Sequence, residues 1–146
     1  MAVTFSYHNV SRMRIPPAFR ARARRLLSRV EKLTGKRWGE VGLIFVSGLF
    51  MRRLNATYRH YDRVTDVLSF TYQARSPVVG EIFICVEQAA RQARTARHSL
   101  GAELEFLFVH GLLHLLGHDH LRAGERSIMR ALEYQALGLR SILKLV

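Results

Sequence analysis

Apolar and polar residues alternate with two different periods along this chain, which predicts a mixture of strands and helices. Short runs rich in aromatic and β-branched residues predict four strands, at residues 2–8, 41–47, 67–72 and 80–86. Five helices are predicted between and after the strands, at residues 16–35, 49–60, 87–98, 103–116 and 124–137. The pattern therefore predicts strands and helices that alternate along the chain.

The segment from Glu103 to Leu116 differs from the other predicted helices because it is apolar on nearly every side. A helix without a polar face is expected to lie buried at the centre of the domain. Glu103 and Glu105 fall in its first turn, where negative charge interacts favourably with the helix dipole. By contrast, the polar residues 73–77, QARSP, predict an exposed and mobile loop.

The C-terminal end of this central helix carries the sequence HGLLHLLGHDH, residues 110–120. His110 and His114 are four residues apart, so a helix places both on one face, where both can bind one metal ion. Gly117 can adopt the left-handed conformation that ends a helix and reverses the chain. His120 can then return to the same ion. The spacing predicts a metal centre with His110, His114 and His120 as its ligands.

Three protein ligands leave a fourth position open on a tetrahedral metal, which is typical of catalytic rather than structural zinc. The alternative is a histidine-rich turn without fixed geometry, since His118 adds a fourth histidine. A chance match to this frame of histidines and glycine is improbable, and we expect His118 to point elsewhere, near the mouth of the site. Asp119 is a candidate to orient one of the ligand histidines.

The residue after the first histidine is Gly111. Zinc peptidases of the HExxH type carry a glutamate at that position, where it acts as general base toward water on the metal. The ligand spacing otherwise matches the extended pattern of those peptidases. The glycine therefore disfavours peptide hydrolysis.

Length and composition predict one globular domain over residues 1–146, because 49% of the 146 residues are hydrophobic and two domains would be small. The single cysteine, Cys85, excludes an internal disulfide, and its apolar neighbours IFICV predict a buried thiol. The N-terminal residues lack a basic leader and a sustained apolar core, and the longest apolar stretch, residues 104–116, is interrupted by His110 and His114, so neither a signal peptide nor a membrane span is expected. These features predict a cytoplasmic protein.

The net charge predicts a polyanionic partner, since 23 basic residues against 11 acidic ones give +12. Most of the basic residues are arginines, whose planar guanidinium suits bidentate contacts with phosphate, so nucleic acid is the expected partner. Alternatively, the arginines could reflect genomic base composition and serve only to solvate helix faces. Two groups of arginines favour binding. A cluster lies on the first predicted helix, at Arg20, Arg22, Arg24, Arg25 and Arg29, and a ridge lies on the third, at Arg91, Arg94 and Arg97.

A further polar segment, LNATYRHYDRVTDVLSF at residues 54–70, lies between a predicted helix and a predicted strand. Loops at strand ends commonly carry functional groups on a rigid scaffold. The alternative is an ordinary helix exit and turn, with Asp66 capping locally and Arg59 simply exposed. The sequence alone leaves both interpretations open for its polar residues, which are Arg59, Asp62, Thr65, Asp66 and Ser69.

In this order and at these separations, LNATYRHYDRVTDVLSF, GEIFIC and HGLLHLLGHDH resemble the YbeY family of bacterial endoribonucleases, the ribosomal RNA maturation factors. The later segment GERSIMRALEYQALG, residues 124–138, resembles the C-terminal helix of that family. The resemblance extends over essentially the whole chain. It implies an α+β fold in a single domain, with a small mixed β-sheet packed against about five helices and a zincin-like metal helix.

The resemblance also implies a function and a site. His110, His114 and His120 would bind one zinc ion per chain, and Arg59 would be the functionally important arginine beside the metal. The implied activity is metal-dependent, single-strand-specific endoribonuclease cleavage in ribosomal RNA processing, notably at the end of the small-subunit RNA, together with ribosome quality control. The implied partners are ribosomal RNA and the small ribosomal subunit, and neither a membrane nor DNA is expected.

Two other classes of function stay open at this point. The chain could be a non-catalytic ribosome-assembly module, in which basic faces bind RNA and a structural metal only joins helix to turn. A metallopeptidase is a more distant alternative. The general base of a nuclease is also open, because Gly111 cannot serve, and Asp119, His118 or a 2′-hydroxyl of the RNA itself could take part.

Overall fold

The computed structural model describes residues 3–138 and shows an α+β fold within them. All nine predicted elements are present, as β1 (Thr4–Asn9), α1 (Phe19–Thr34), β2 (Trp38–Val46), α2 (Gly48–Arg59), β3 (Val67–Gln73), β4 (Val78–Cys85), α3 (Val86–Ala96), α4 (Leu100–Leu115) and α5 (Ala123–Ala136). The predicted first strand begins at residue 2, which is outside the described range. The predicted domain, residues 1–146, also includes residues outside that range, so its extent stays a prediction.

The element boundaries differ from the predicted ones by up to three residues, and the largest differences have local causes. The central helix α4 begins at Leu100 rather than at residue 103. Ser99 caps it, since its hydroxyl oxygen accepts a hydrogen bond of 3.1 Å from the backbone N–H of Ala102. Strand β2 begins at Trp38, earlier than residue 41, because the polar interruption at Gly39 and Glu40 does not stop it from pairing with β4.

The four strands form one mixed sheet in the order β1-β2-β4-β3. Strands β1, β2 and β4 run parallel, and β3 pairs antiparallel with β4 at the edge of the sheet. The predicted small mixed sheet is therefore confirmed. Residues 74–77, between β3 and β4, are exposed as predicted, and the mobility of this loop stays a prediction.

Helix α4 lies at the centre of the fold, as its sequence predicts. It packs against β3 and β4 on one side and against α1, α3 and α5 on others. Rings from the sheet and from α1 and α4 meet in the main core, where Phe5, Phe19, Phe45 and Phe108 form a cluster of edge and tilted contacts. Each such buried side chain contributes on the order of 1.5–3 kcal/mol, so this core holds α4 firmly in place.

The opposite face of the sheet carries a smaller core under α2. Met51 of α2 is fully buried against Val46, Leu68 and Cys85. Cys85 is a free, buried thiol, as predicted, and burial raises its pKa, which makes it unreactive. Helix α2 is thus fixed on the sheet close to β3, and its last residue, Arg59, is brought to the sheet edge.

None of the helices within residues 3–138 combines the length and the apolar character that a membrane crossing requires.

Candidate metal centre and the cleft beside it

The histidine cluster forms at the C-terminal end of α4 by the local geometry that the sequence predicts. His110 and His114 lie on one face of the helix, one turn apart. Gly117 follows with φ +93°, a left-handed conformation that a residue with a side chain adopts only with strain. The backbone N–H of His118 donates to the carbonyl of Leu113 at 3.0 Å, which closes the turn. The reversed chain then brings His120 back toward the helix.

The three histidines can provide nitrogen ligands to one metal ion. One ring nitrogen from each of His110, His114 and His120 lies within 4.8 Å of the others. The Nε2 atoms of His110 and His114 are 3.1 Å apart. Nitrogens bound at about 2 Å to a tetrahedral zinc ion lie about 3.4 Å from one another, so the arrangement fits such an ion with small adjustments.

Burial keeps the middle candidate ligand, His114, in the unprotonated form that a metal binds. His114 is half-buried, and this burial, reinforced by neighbouring His110 and His120, lowers its pKa to about 4. An imidazole binds a metal only through an unprotonated nitrogen, so His114 is available as a ligand at neutral pH without having to lose a proton.

A residue that the sequence analysis did not identify supports this cluster. The carboxylate of Glu133 on α5 is only 7% exposed, and its Oε2 lies 3.1 Å from Nδ1 of His110. If Nδ1 donates this hydrogen bond, the unprotonated Nε2 of His110 points into the cluster, as metal ligation requires. The signal in the sequence was a glutamate within the apolar stripe of the last helix, next to Leu132 and between Met129 and Ala136.

Replacing Glu133 with glutamine is expected to weaken metal binding by about 10- to 100-fold, because the carboxylate that orients the His110 ring is lost. The measurement is a competition titration of zinc against a chelator of known affinity. Glu125→Gln, an exposed position in the first turn of α5, removes the same charge and should bind zinc like the wild type. Equal zinc affinity in both variants would contradict the role assigned to Glu133.

Asp119 and His118 differ in their position relative to the histidine cluster. The carboxylate of Asp119 accepts a hydrogen bond of 2.6 Å from the backbone N–H of His120 and lies 3.8 Å from its Nδ1. It is thus next to a candidate ligand, and its orienting role stays a prediction. His118 is outside the cluster and does not line the cleft, so it points elsewhere, as expected, but not to the mouth of the site. Burial and the charge of Lys36 lower its pKa.

A cleft of about 750 Å³ opens beside the histidines, with edge strand β3 as its other wall. Arg59 reaches this cleft from the end of α2. Its Nη2 donates a hydrogen bond of 2.8 Å to the carbonyl of Ser69, and its guanidinium lies 4.9 Å from the centre of the Phe70 ring. These two contacts orient the cation along the wall that faces the histidines. The structure therefore places Arg59 and the three histidines around one cavity.

The other polar residues of the segment 54–70 separate into two groups. Thr65, Asp66 and Ser69 line the cleft, together with Arg59. Asp62 does not, because it forms an exposed ion pair of 2.8 Å with Arg52, which lowers the pKa of its carboxyl. Part of this segment thus faces the cleft and part of it is an exposed helix exit, and a functional role for the cleft-facing residues stays a prediction.

Asp66 connects the cleft wall to a polar network between α3 and α4. Its Oδ1 accepts a hydrogen bond from the backbone N–H of Val67, so the local cap is also present. Its Oδ2 accepts one from the amide of Gln92, which also donates to the buried carboxylate of Glu103 at 3.0 Å. Glu103 lies 2.6 Å from the ring of His98. The network holds the start of β3 against the helices and so fixes this part of the cleft.

Gly111 of α4 packs closely against strands β3 and β4 of the sheet. A Cβ atom at this position would lie 2.9 Å from Cγ2 of Ile82 and 3.1 Å from the hydroxyl oxygen of Ser69. The Ser69 hydroxyl also donates to the Gly111 carbonyl at 3.2 Å. Position 111 therefore faces the sheet at a distance too short for a side chain, and a glutamate general base does not fit there.

The substitution Gly111→Ala is expected to destabilise the fold by about 1 kcal/mol, because overpacking costs about 1–3 kcal/mol and the higher helix propensity of alanine returns about 1 kcal/mol. Thermal unfolding followed by circular dichroism measures the effect. The control is Gly101→Ala on the same helix, where the nearest side-chain atom is 3.8 Å from the added Cβ. Its melting temperature should not fall; a similar loss in both variants would argue against the packing explanation.

The arginines predicted to form basic surfaces are largely exposed, and two of them also hold helices together. Arg22 lies 3.3 Å from the carboxylate of Glu105 on α4, and Arg29 donates to the carbonyl of Ala136 at 2.9 Å. The remaining members of both groups are exposed to solvent, namely Arg20, Arg24, Arg25, Arg91, Arg94 and Arg97. The structure thus leaves most of these cations available to a partner.

Comparison with known proteins gives a consistent set of relatives. The family model described as endoribonuclease YbeY matches residues 7–139. A protein named endoribonuclease YbeY from Heliobacterium modesticaldum is 46% identical over 112 residues, which covers 67% of this chain and 68% of that protein. The protein of the same name from Finegoldia magna is 43% identical over 102 residues and covers 67% of each chain.

The fold has a solved counterpart. The solution structure of a Thermotoga maritima protein superposes with a TM-score of 0.61 at 25% sequence identity. The match covers 92% of this chain and 90% of that protein. The agreement therefore extends over most of the fold.

Proposed function

Because the chain belongs to the YbeY endoribonuclease family, we propose that it is a metal-dependent endoribonuclease that cleaves single-stranded ribosomal RNA. The observation that carries the proposal is the cleft in which Arg59 and the cluster of His110, His114 and His120 line the same cavity. A guanidinium that shares a cleft with three imidazoles able to hold a Lewis-acid metal is an arrangement suited to a phosphodiester.

The proposed metal is one zinc ion per chain, held by His110, His114 and His120. The donor set fits this ion, since three imidazole nitrogens leave a fourth position open. Zinc held there would supply Lewis-acid chemistry, polarising a phosphoryl oxygen and lowering the pKa of a water molecule. Glu133 and Asp119 would orient the rings of His110 and His120.

Arg59 has the role of binding the phosphate that reacts. Its guanidinium is held by the Ser69 carbonyl and the Phe70 ring, so little side-chain freedom is lost when an anion binds. It can donate two hydrogen bonds to phosphate oxygens and neutralise the charge that develops on them as the bond breaks. The exposed arginines of α1 and α3 would bind more distant phosphates of the strand.

The proposed biological role is processing of ribosomal RNA in the cytoplasm, notably maturation of the small-subunit RNA end, together with ribosome quality control. The proposed partners are ribosomal RNA and the small ribosomal subunit. The +12 charge supports a polyanionic partner of this kind. Peptide hydrolysis is disfavoured, since position 111 has no space for the glutamate on which HExxH peptidases rely.

Removal of the metal tests the proposal. Chelation is expected to stop cleavage of a single-stranded ribosomal RNA precursor segment, and stoichiometric zinc is expected to restore it. The chain should stay folded during this cycle, because α4 is held by the apolar core rather than by the metal. Metal content, circular dichroism and RNA cleavage are measured on the same samples.

The same experiment separates the enzyme from a non-catalytic ribosome-assembly module with a structural metal. Such a module would unfold on chelation without having cleaved RNA beforehand. Cleavage that continues at full rate in the metal-free chain would contradict the metal-dependent mechanism.

A further inference from the structure

A second pocket lies on the other side of the histidine cluster, between α4 and α5. Its volume is about 410 Å³, within the range of about 300–1,000 Å³ that is usual for small-molecule sites. His110 and His120 line both this pocket and the cleft along β3. The candidate metal centre therefore separates two neighbouring cavities, and a strand bound across it would enter both.

Aromatic and apolar side chains form much of the pocket. Phe106 of α4 is 39% exposed, and its ring is stacked on that of His110 at a centroid distance of 6.2 Å and an angle of 26°. Tyr134 and the buried Met129 line it from α5. Unpaired bases of single-stranded RNA stack on such rings, which suit any base because every base has a π-face.

Charge distinguishes the rim of the pocket from its interior. Arg126 and Arg130, one turn apart on α5, are exposed at the rim, and neither lies within ion-pair distance of an acidic side chain of residues 3–138. Glu133 lines the same pocket but is only 7% exposed, so its carboxylate lies deeper than the two exposed guanidinium groups. A carboxylate at that depth disfavours a phosphate there and accepts an uncharged base, while the two exposed guanidinium groups suit the phosphates beside it.

From these observations we propose that the pocket formed by Phe106, Arg126, Met129, Arg130 and Tyr134 binds one unpaired nucleobase of the RNA, next to the phosphate at the histidine cluster. The base stacks in the pocket, and Arg126 and Arg130 bind the adjoining backbone. The strand then continues past the histidines into the cleft along β3. This inference rests on the proposed ribonuclease function, for which it specifies how an unpaired strand is recognised.

The test uses short single-stranded RNA oligonucleotides, each with the fluorescent base analogue 2-aminopurine at a different nucleotide. Stacking in the pocket is expected to quench its fluorescence at one position on binding to the wild type. The quenching should disappear in Tyr134→Ala and persist in Tyr134→Phe, which keeps the ring. Removing the base at that nucleotide should weaken binding to the wild type by about 5- to 100-fold, and by less than about twofold to Tyr134→Ala.

A second variant covers the case in which Tyr134→Ala does not fold. Arg130→Ala changes only an exposed side chain and should weaken RNA binding several-fold more than Arg53→Ala, which removes the same charge from an exposed position on α2 that lines neither cavity. Quenching at no position, together with equal effects of Arg130→Ala and Arg53→Ala, would overturn the proposal. Binding is measured without cleavage, so base stacking by a chain that does not cut RNA would count against the proposed nuclease function but not against this pocket.

Discussion

Replacing His114 with alanine is expected to abolish both zinc binding and RNA cleavage. The substitution removes one of the three candidate ligands, a half-buried histidine with a ring nitrogen within 4.8 Å of a ring nitrogen of each of the other two. Loss of a residue that merely orients a ligand weakens metal binding by about 10- to 100-fold, so loss of a ligand itself should exceed that range. Zinc content and cleavage of a ribosomal RNA precursor segment are measured on proteins purified side by side.

The matched control is His118→Ala, four residues further along the same turn and outside the cluster. This variant should keep its zinc and its cleavage. Circular dichroism shows whether His114→Ala is still folded, which is expected because its side chain faces the cleft and not the apolar core. A folded His114→Ala that cleaves as fast as the wild type would point to contamination or to a route without metal.

Arg59→Ala is expected to lower the rate of cleavage by about 10²- to 10³-fold, the usual cost of removing one group that stabilises charge in the transition state. Zinc content should not change, since Arg59 contacts Ser69 and Phe70 rather than any of the histidines. Cleavage is measured at saturating and at subsaturating RNA. A loss in the maximal rate identifies an interaction made in the transition state, whereas a loss only in apparent affinity identifies simple binding.

Arg53→Ala gives the control for Arg59→Ala. Arg53 lies on the same helix and is exposed, but it does not line the cleft, so the variant loses the same charge without changing the site. It should cleave at close to the wild-type rate. Arg59→Lys keeps the charge and loses the planar, bidentate geometry, and it should remain well below the wild type. Equal losses of cleavage rate in Arg53→Ala and Arg59→Ala would show that Arg59 acts only through its positive charge and not through its position in the cleft.

The His114→Ala and Arg59→Ala variants test two separate properties of the same site. His114→Ala tests whether the site binds a metal, and Arg59→Ala tests whether the guanidinium stabilises the reacting phosphate when the metal is present. The Glu133→Gln variant lies between them, because it keeps all three candidate ligands and changes only the partner of His110. A graded loss of zinc across the wild type, Glu133→Gln and His114→Ala would indicate that orientation of the ligands contributes to affinity.

The sequence by itself determined those features that depend only on residues close together along the chain. Periodicity predicted all nine elements, because burial of one face requires an apolar residue at each turn or at each second position. The histidine cluster was also predictable. Its members span only eleven residues, and a helical turn followed by a left-handed glycine brings them together without help from the rest of the chain.

Only the tertiary structure decided which distant residues surround that cluster. Arg59 lies in the cleft because α2 packs on the sheet beside edge strand β3, and Glu133 contacts His110 because α5 packs on α4. The strand order has the same origin, and so has the restriction on a side chain at Gly111, since Ile82 of strand β4 approaches that glycine of helix α4. Such contacts depend on how whole elements pack, and residue periodicity records only which face of an element is buried, not which neighbour covers it.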